Sequence, residues 1–104
     1  MENKLPEIRA QVRLYHDSNG KSEILGFADL TIASAFTIRG VRIIMGKKKE
    51  GQEPLPFLSF PARKGSGASG ERYFEIAFPI SAEARRVATE VVLKAYAAVS
   101  QSVA

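Results

Sequence analysis

The residues best able to do chemistry in this chain are cationic, and they fall in two short runs. Lys47, Lys48 and Lys49 form one, Arg63 and Lys64 the other, and across that span Glu50 and Glu53 are the carboxylates that oppose them. Bases clustered on loops at the rim of a sheet bind phosphate groups by releasing counterions. The plainer reading is a solvated charge run that only keeps the protein in solution. Other chemistries fare worse. His16 is the single histidine, with Asp17 beside it, and no nucleophile-elbow motif accompanies them, so a solvated turn residue is expected rather than a Ser-His-Asp site. With one histidine and no cysteine, a metal would need carboxylates, and Asp17, Glu23 and Asp29 lack ligand spacing. The glycines at Gly65, Gly67 and Gly70 lack the GxxxxGK[ST] pattern and precede a strand, not a helix, which argues against a nucleotide-phosphate loop. We expect no enzyme activity, no cofactor and no small-molecule substrate.

The elements that must position the bases centre on Ile24–Met45. Ile24–Ala33 and Phe36–Met45 are two β-rich runs with only Ser34 and Ala35 between them, which predicts a hairpin. In the second run, Phe36 and Ile38 share a face, the alternation fails at Arg39–Gly40, and Val41, Ile43 and Met45 resume it one residue late. An extra residue beside a glycine predicts a β-bulge there. Ile8–Tyr15 alternates, with Arg9, Gln11, Arg13 and Tyr15 on the solvent side. Asn19–Gly20 marks a turn, so a three-stranded meander spans Ile8–Met45. Gly46–Pro56 reads as a loop, Phe57–Phe60 as a short strand, and Ala62–Glu71 as a flexible glycine-serine loop. Arg72–Phe78 reads as the last strand. Ser81 then caps a helix over Ala82–Val99, with Glu83 in its first turn and an apolar stripe of Ala84, Val87, Ala88, Val91, Ala95 and Val99. The expected fold is α+β: one antiparallel sheet of about five strands, with a long C-terminal helix packed on it.

Composition sets outer limits. The 104 residues form a single domain, 1–104, with a lead-in over 1–7 and a frayed tail over 100–104. Apolar residues make up 45% and charged residues 25%, values that suit a folded globule. A domain this small buries only about two-thirds of its unfolded surface, so dimerisation would help it. The absence of cysteine suits a reducing cytoplasm, and the polar start does not resemble a signal peptide. No apolar run reaches the roughly 20 residues of a membrane helix, so no membrane partner is expected. The net charge is +4.

Several segments together resemble the stage V sporulation protein G (SpoVG) family of septation regulators. They are Val12–Leu14, the turn glycine Gly20, Ala28–Thr31, Phe36–Arg42, Gly46, Phe57–Lys64, Ile76–Ile80, and the helix from Ala82 to Tyr96. The segments span nearly the whole chain in family order. The histidine usual before Pro-Ile is Phe78 here, and the loops Gly46–Pro56 and Gly65–Gly70 look longer than the family's turns. The resemblance implies a cytoplasmic homodimer that binds DNA, and in some members RNA, and regulates bacterial gene expression linked to septation, cell division or sporulation. It implies nucleic-acid contact at Pro61–Lys64, hence Arg63 and Lys64, and at Arg85 and Arg86 near the helix start. Lys47, Lys48 and Lys49 rest on composition alone. A second reading, from another class, is a non-enzymatic protein-interaction module acting in cell division through its dimeric sheet.

Overall fold

Alternation of apolar and polar residues in the first half of the chain builds a sheet with one face for a core and one for solvent. The computed structural model describes residues 5–15, 23–47, 49–67 and 70–102. The predicted Asn19–Gly20 turn, His16, Asp17 and Lys48 lie outside them. Strands β1 (Ile8–Leu14), β2 (Ile24–Ile32), β3 (Phe36–Met45) and β4 (Pro56–Ser59) form an antiparallel sheet in that order. Ile8 faces Ile32 and Leu14 faces Gly26 across β1–β2, and Arg42 faces Ser59 across β3–β4. The predicted meander is therefore present and extended by one strand.

Two irregularities curve this sheet. Ala28 pairs with Val41 and Leu30 with Ile38, so Asp29 stands opposite both Arg39 and Gly40. This is the expected bulge, and Gly40 takes a φ of 80° that favours a residue without Cβ. A second shift lies on β2, where Ile24 pairs with Ile44 and Gly26 with Ile43, leaving Leu25 extra.

The hairpin turn is tighter in chemistry than its sequence suggests. The Ala35 amide donates to the Ile32 carbonyl at 3.0 Å, with Ala33 and Ser34 at φ 54° and 53°. Positive φ at both central residues is the type I′ geometry that matches strand twist, and it is normally filled by Asn-Gly. An L-residue in this conformation is disfavoured by roughly 1–2 kcal/mol. Replacing the pair by Ala33→Asn with Ser34→Gly is expected to stabilise the fold by about 1 kcal/mol and to raise the Tm by roughly 4–8 °C. A thermal melt checks this, and an unchanged or lower Tm would contradict it.

The helix α1 (Ala82–Ser102) covers the apolar face, lying mainly over β1 and reaching β2 and β4. Its start is as predicted: the Ala84 amide donates to Ser81 Oγ at 3.1 Å, and the Arg85 amide to the Ser81 carbonyl at 3.0 Å. It continues past Val99 into the segment expected to fray. The core consists of Ala28, Leu30, Val41, Ile43, Leu58 and Phe60 from the sheet with Ala88 and Val92 from the helix. Leu93 and Tyr96 pack at its edge. The predicted stripe was thus rotated. Val92, absent from it, is fully buried, while Val87, Val91, Ala95 and Val99 are half-buried on the flank.

The second half of the chain departs further. Ala62–Glu71, expected as a loop, and the last strand instead make a separate two-stranded ribbon, β5 (Ala62–Gly67) with β6 (Gly70–Glu75). Among the described residues six strands in two sheets replace about five in one, within the expected α+β architecture. Glycine and serine have low strand propensity, but the ladder supplies their backbone partners. The Phe74 ring also lies over Gly65, so close that a Cβ there would meet it at 2.7 Å. An aromatic laid across a strand glycine restores the contact surface that glycine lacks. Among the described residues the ribbon packs against no other element, and it is joined at its base by the Ile76 amide donating to the Pro61 carbonyl at 2.7 Å. The Cα radius of gyration is 15.4 Å, against about 13 Å for a compact chain of this length.

Candidate nucleic-acid interface

Period-2 geometry decides which bases on the ribbon act together. Arg63 pairs with Phe74 and Gly65 with Arg72, so Arg63, Arg72 and Phe74 share one face. Lys64 pairs with Tyr73, and Ala62 with Glu75, on the other. The pair read in sequence as one cluster is therefore split across the ribbon. Arg72, which sequence reading passed over as an ordinary strand residue, joins Arg63. All of Arg63, Lys64 and Arg72 are exposed.

The other predicted bases are distributed by the topology of β4. Because β4 runs antiparallel to β3, Lys47 and Lys49 stand at its Pro56 end. Arg63 and Lys64 follow its Ser59 end. β3 and β4 are neighbours, but antiparallel pairing sends the two clusters to opposite ends, about 10 Å apart along β4 alone. Lys49 begins a tight turn, in which the Gln52 amide donates to its carbonyl at 3.0 Å and Gly51 takes φ 79°. Glu53 shares this end with Lys47 and Lys49 and partly offsets their charge.

Further cations stand toward the Ser59 end, on opposite faces of the sheet. Arg42 pairs with Ser59 in the sheet. Arg85, on the first turn of α1, holds its guanidinium 5.5 Å from the centre of the Phe60 ring. That stacking orients the group without neutralising it. Arg86 instead pairs with Glu90 at 3.0 Å, with both side chains exposed. Such a pair is worth at most about 1 kcal/mol, so it is no obstacle to contact with a phosphate. Among the described residues no group of His, Asp or Glu could hold a metal ion, and no helix is long and apolar enough to cross a membrane.

Apolar exposure accompanies the basic residues. Between Tyr73 and Ile80 five large apolar side chains face solvent: Tyr73, Phe74, Ile76, Phe78 and Ile80, the last 92% exposed. Beside them, Ile8, Leu30, Ile38, Phe60, Pro79 and Ile80 border an apolar groove of about 200 Å³ between the sheet and the helix start.

The SpoVG family model matches residues 7–98, which include the sheet, the ribbon and most of the helix. A chain of Archaeoglobus fulgidus that bears the name septation protein SpoVG is 30% identical over 86 residues, covering 83% of this chain and 89% of that one. No solved structure matches the chain.

Proposed function

This chain belongs to the SpoVG family, and from that premise we propose that it is a nucleic-acid-binding regulator of gene expression with a septation- or sporulation-related role. It acts on DNA, with RNA as a further target, in the cytoplasm and without catalysis. The observation that carries the reading is the ribbon β5–β6. Among the described residues it packs against no other element, and it bears Arg63, Lys64 and Arg72. The major groove of B-DNA is about 12 Å wide and admits a two-stranded ribbon. Bases on both faces of such a ribbon meet the phosphates that flank the groove. Arg85 and Arg86 on the first turn of α1 add charge from the helix side of the sheet, and Lys47 and Lys49 add long-range attraction from the far end of β4. Binding of generic duplex DNA measured across a salt series tests this. Affinity is expected to fall steeply with salt, with a log-log slope of about −0.9 per phosphate contacted.

A second reading is supported by the apolar segment Tyr73–Ile80. A protein-interaction module of the division machinery would use that surface, and its association would be nearly insensitive to salt. The same segment supports homodimerisation, since exposed apolar surface of this extent in a small domain marks an interface. Light scattering at micromolar concentration is expected to give twice the 11.4 kDa chain mass. A monomer mass across the range would remove the dimer from the proposal.

A further inference from the structure

The helix covers only one face of the four-stranded sheet. The other carries Arg9, Gln11 and Arg13 from β1, with Thr31, Asp29 and Phe27 opposite them on β2, and Tyr15 just past the end of β1. From β3 it carries Arg42, which pairs with Phe27, and Arg39, which lies in the bulge opposite Asp29. Phe57 and Ser59 complete it from β4. Arg9, Arg13, Arg39, Arg42, Tyr15 and Phe57 are exposed, and Phe27 is half-buried.

We infer that this uncovered face is a binding surface for single-stranded nucleic acid, with Phe27 as a stacking platform and Arg13 and Arg42 as its phosphate contacts. The surface is distinct from the ribbon, and the inference does not depend on the ribbon entering a duplex groove.

Charge argues first. Within β1–β4 the sequence holds four arginines and one carboxylate, Asp29. Asp29 reaches Arg13 at 3.4 Å, and Arg9 meets Glu7 at 3.0 Å, with both arginines about 70% exposed. The Arg9–Glu7 pair is exposed on both sides and therefore weak; Asp29 is only 20% exposed, while the guanidinium of Arg13 stays open to a phosphate. The face is therefore complementary to an anion.

Register argues second. Arg13, Phe27 and Arg42 are consecutive in one row across β1, β2 and β3, an aromatic residue between two arginines. Their Cα atoms span two inter-strand steps, roughly 10 Å. Tyr15 meets Phe27 edge to face, with ring centres 5.7 Å apart and planes at 87°, which buttresses the ring from one side. A ring flanked by cations on an open sheet takes an unstacked base and its neighbouring phosphates. A duplex keeps its bases inside and offers such a face nothing to stack.

The test uses a short labelled thymidine strand and the same strand annealed to its complement, with the full-length protein. Phe27→Leu keeps an apolar side chain beside Tyr15 and removes the aromatic face. It is expected to weaken single-strand binding about tenfold or more while leaving the duplex affinity unchanged. Arg42→Gln, at an exposed position, is expected to flatten the single-strand salt slope by about 0.7. It decides the matter even where Phe27→Leu disturbs the fold. Ala at Arg63 and Lys64 should instead weaken the duplex. Single-strand binding unaffected by Phe27→Leu and Arg42→Gln overturns the inference, as does a parent protein that binds duplex alone. Equal losses on both nucleic acids, or competition by polyglutamate as strong as by the strand, would mean that the face responds to charge and takes no base. A halved mass for Phe27→Leu in light scattering would make it a self-interface and likewise refute the proposal.

Discussion

Val92→Asp is expected to abolish the cooperative melt of this protein. Val92 is fully buried against a sheet core built from Ala28, Leu30, Val41 and Ile43. A carboxylate there has no cation among the core residues and would fold only by shedding its charge or leaving the core. The cost is several kcal/mol, in a domain whose total stability is on the order of 5–15 kcal/mol. Val91→Asp supplies the contrast. Val91 is one residue away, yet a helical step of 100° turns it to the flank, where it is half-buried and its carboxylate can reach water. It is expected to cost about 1 kcal/mol or less. Circular dichroism melts of the two variants decide the point. A Val92→Asp protein that melts like the parent would mean that the helix does not seat on the sheet through this position.

Replacing Arg63 and Lys64 together by alanine is expected to flatten the salt slope of duplex binding by roughly two units. Each contact at −0.9 per phosphate is worth about eightfold between 1 M and 0.1 M salt, so losing two costs roughly 60-fold in affinity at 0.1 M. The two residues sit on opposite faces of the ribbon. Their single effects should accordingly add, one unit each, because they contact different phosphates. Both are exposed, so the melt should barely move. Titrations at several salt concentrations on parent, single and double variants measure all of this. Unchanged affinity and slope in a folded double variant would return these residues to an ordinary solvated strand. If one single variant accounted for the entire loss, a contact on only one face of the ribbon would follow.

The local grammar of this protein was legible in its residues. Period-2 alternation marked β1, the Arg39–Gly40 interruption marked the bulge, and Ser81 followed by an alanine-rich run marked the helix start. Each is a short-range effect in which a side chain acts on backbone within a few residues. The order of segments likewise sufficed for the α+β class and the family. Three features were decided only by tertiary structure. The helix is apolar on so many positions that its own periodicity could not tell Val91 from Val92. The choice came from which side met β1 and β2. The ribbon β5–β6 is made of residues with little strand preference. Cross-strand hydrogen bonds and the Phe74 ring over Gly65 overrode that preference. The placement of the bases followed from pairing direction. Antiparallel β3 and β4 separate Lys47 and Lys49 from Arg63, and the ribbon's pleat separates Arg63 from Lys64. Pairing also brings Arg13, Phe27 and Arg42 from three separate strands into one row. Nearness in sequence put charges together that the sheet pulls apart, because a strand turns successive side chains to opposite faces while its ladder joins residues far apart in the chain.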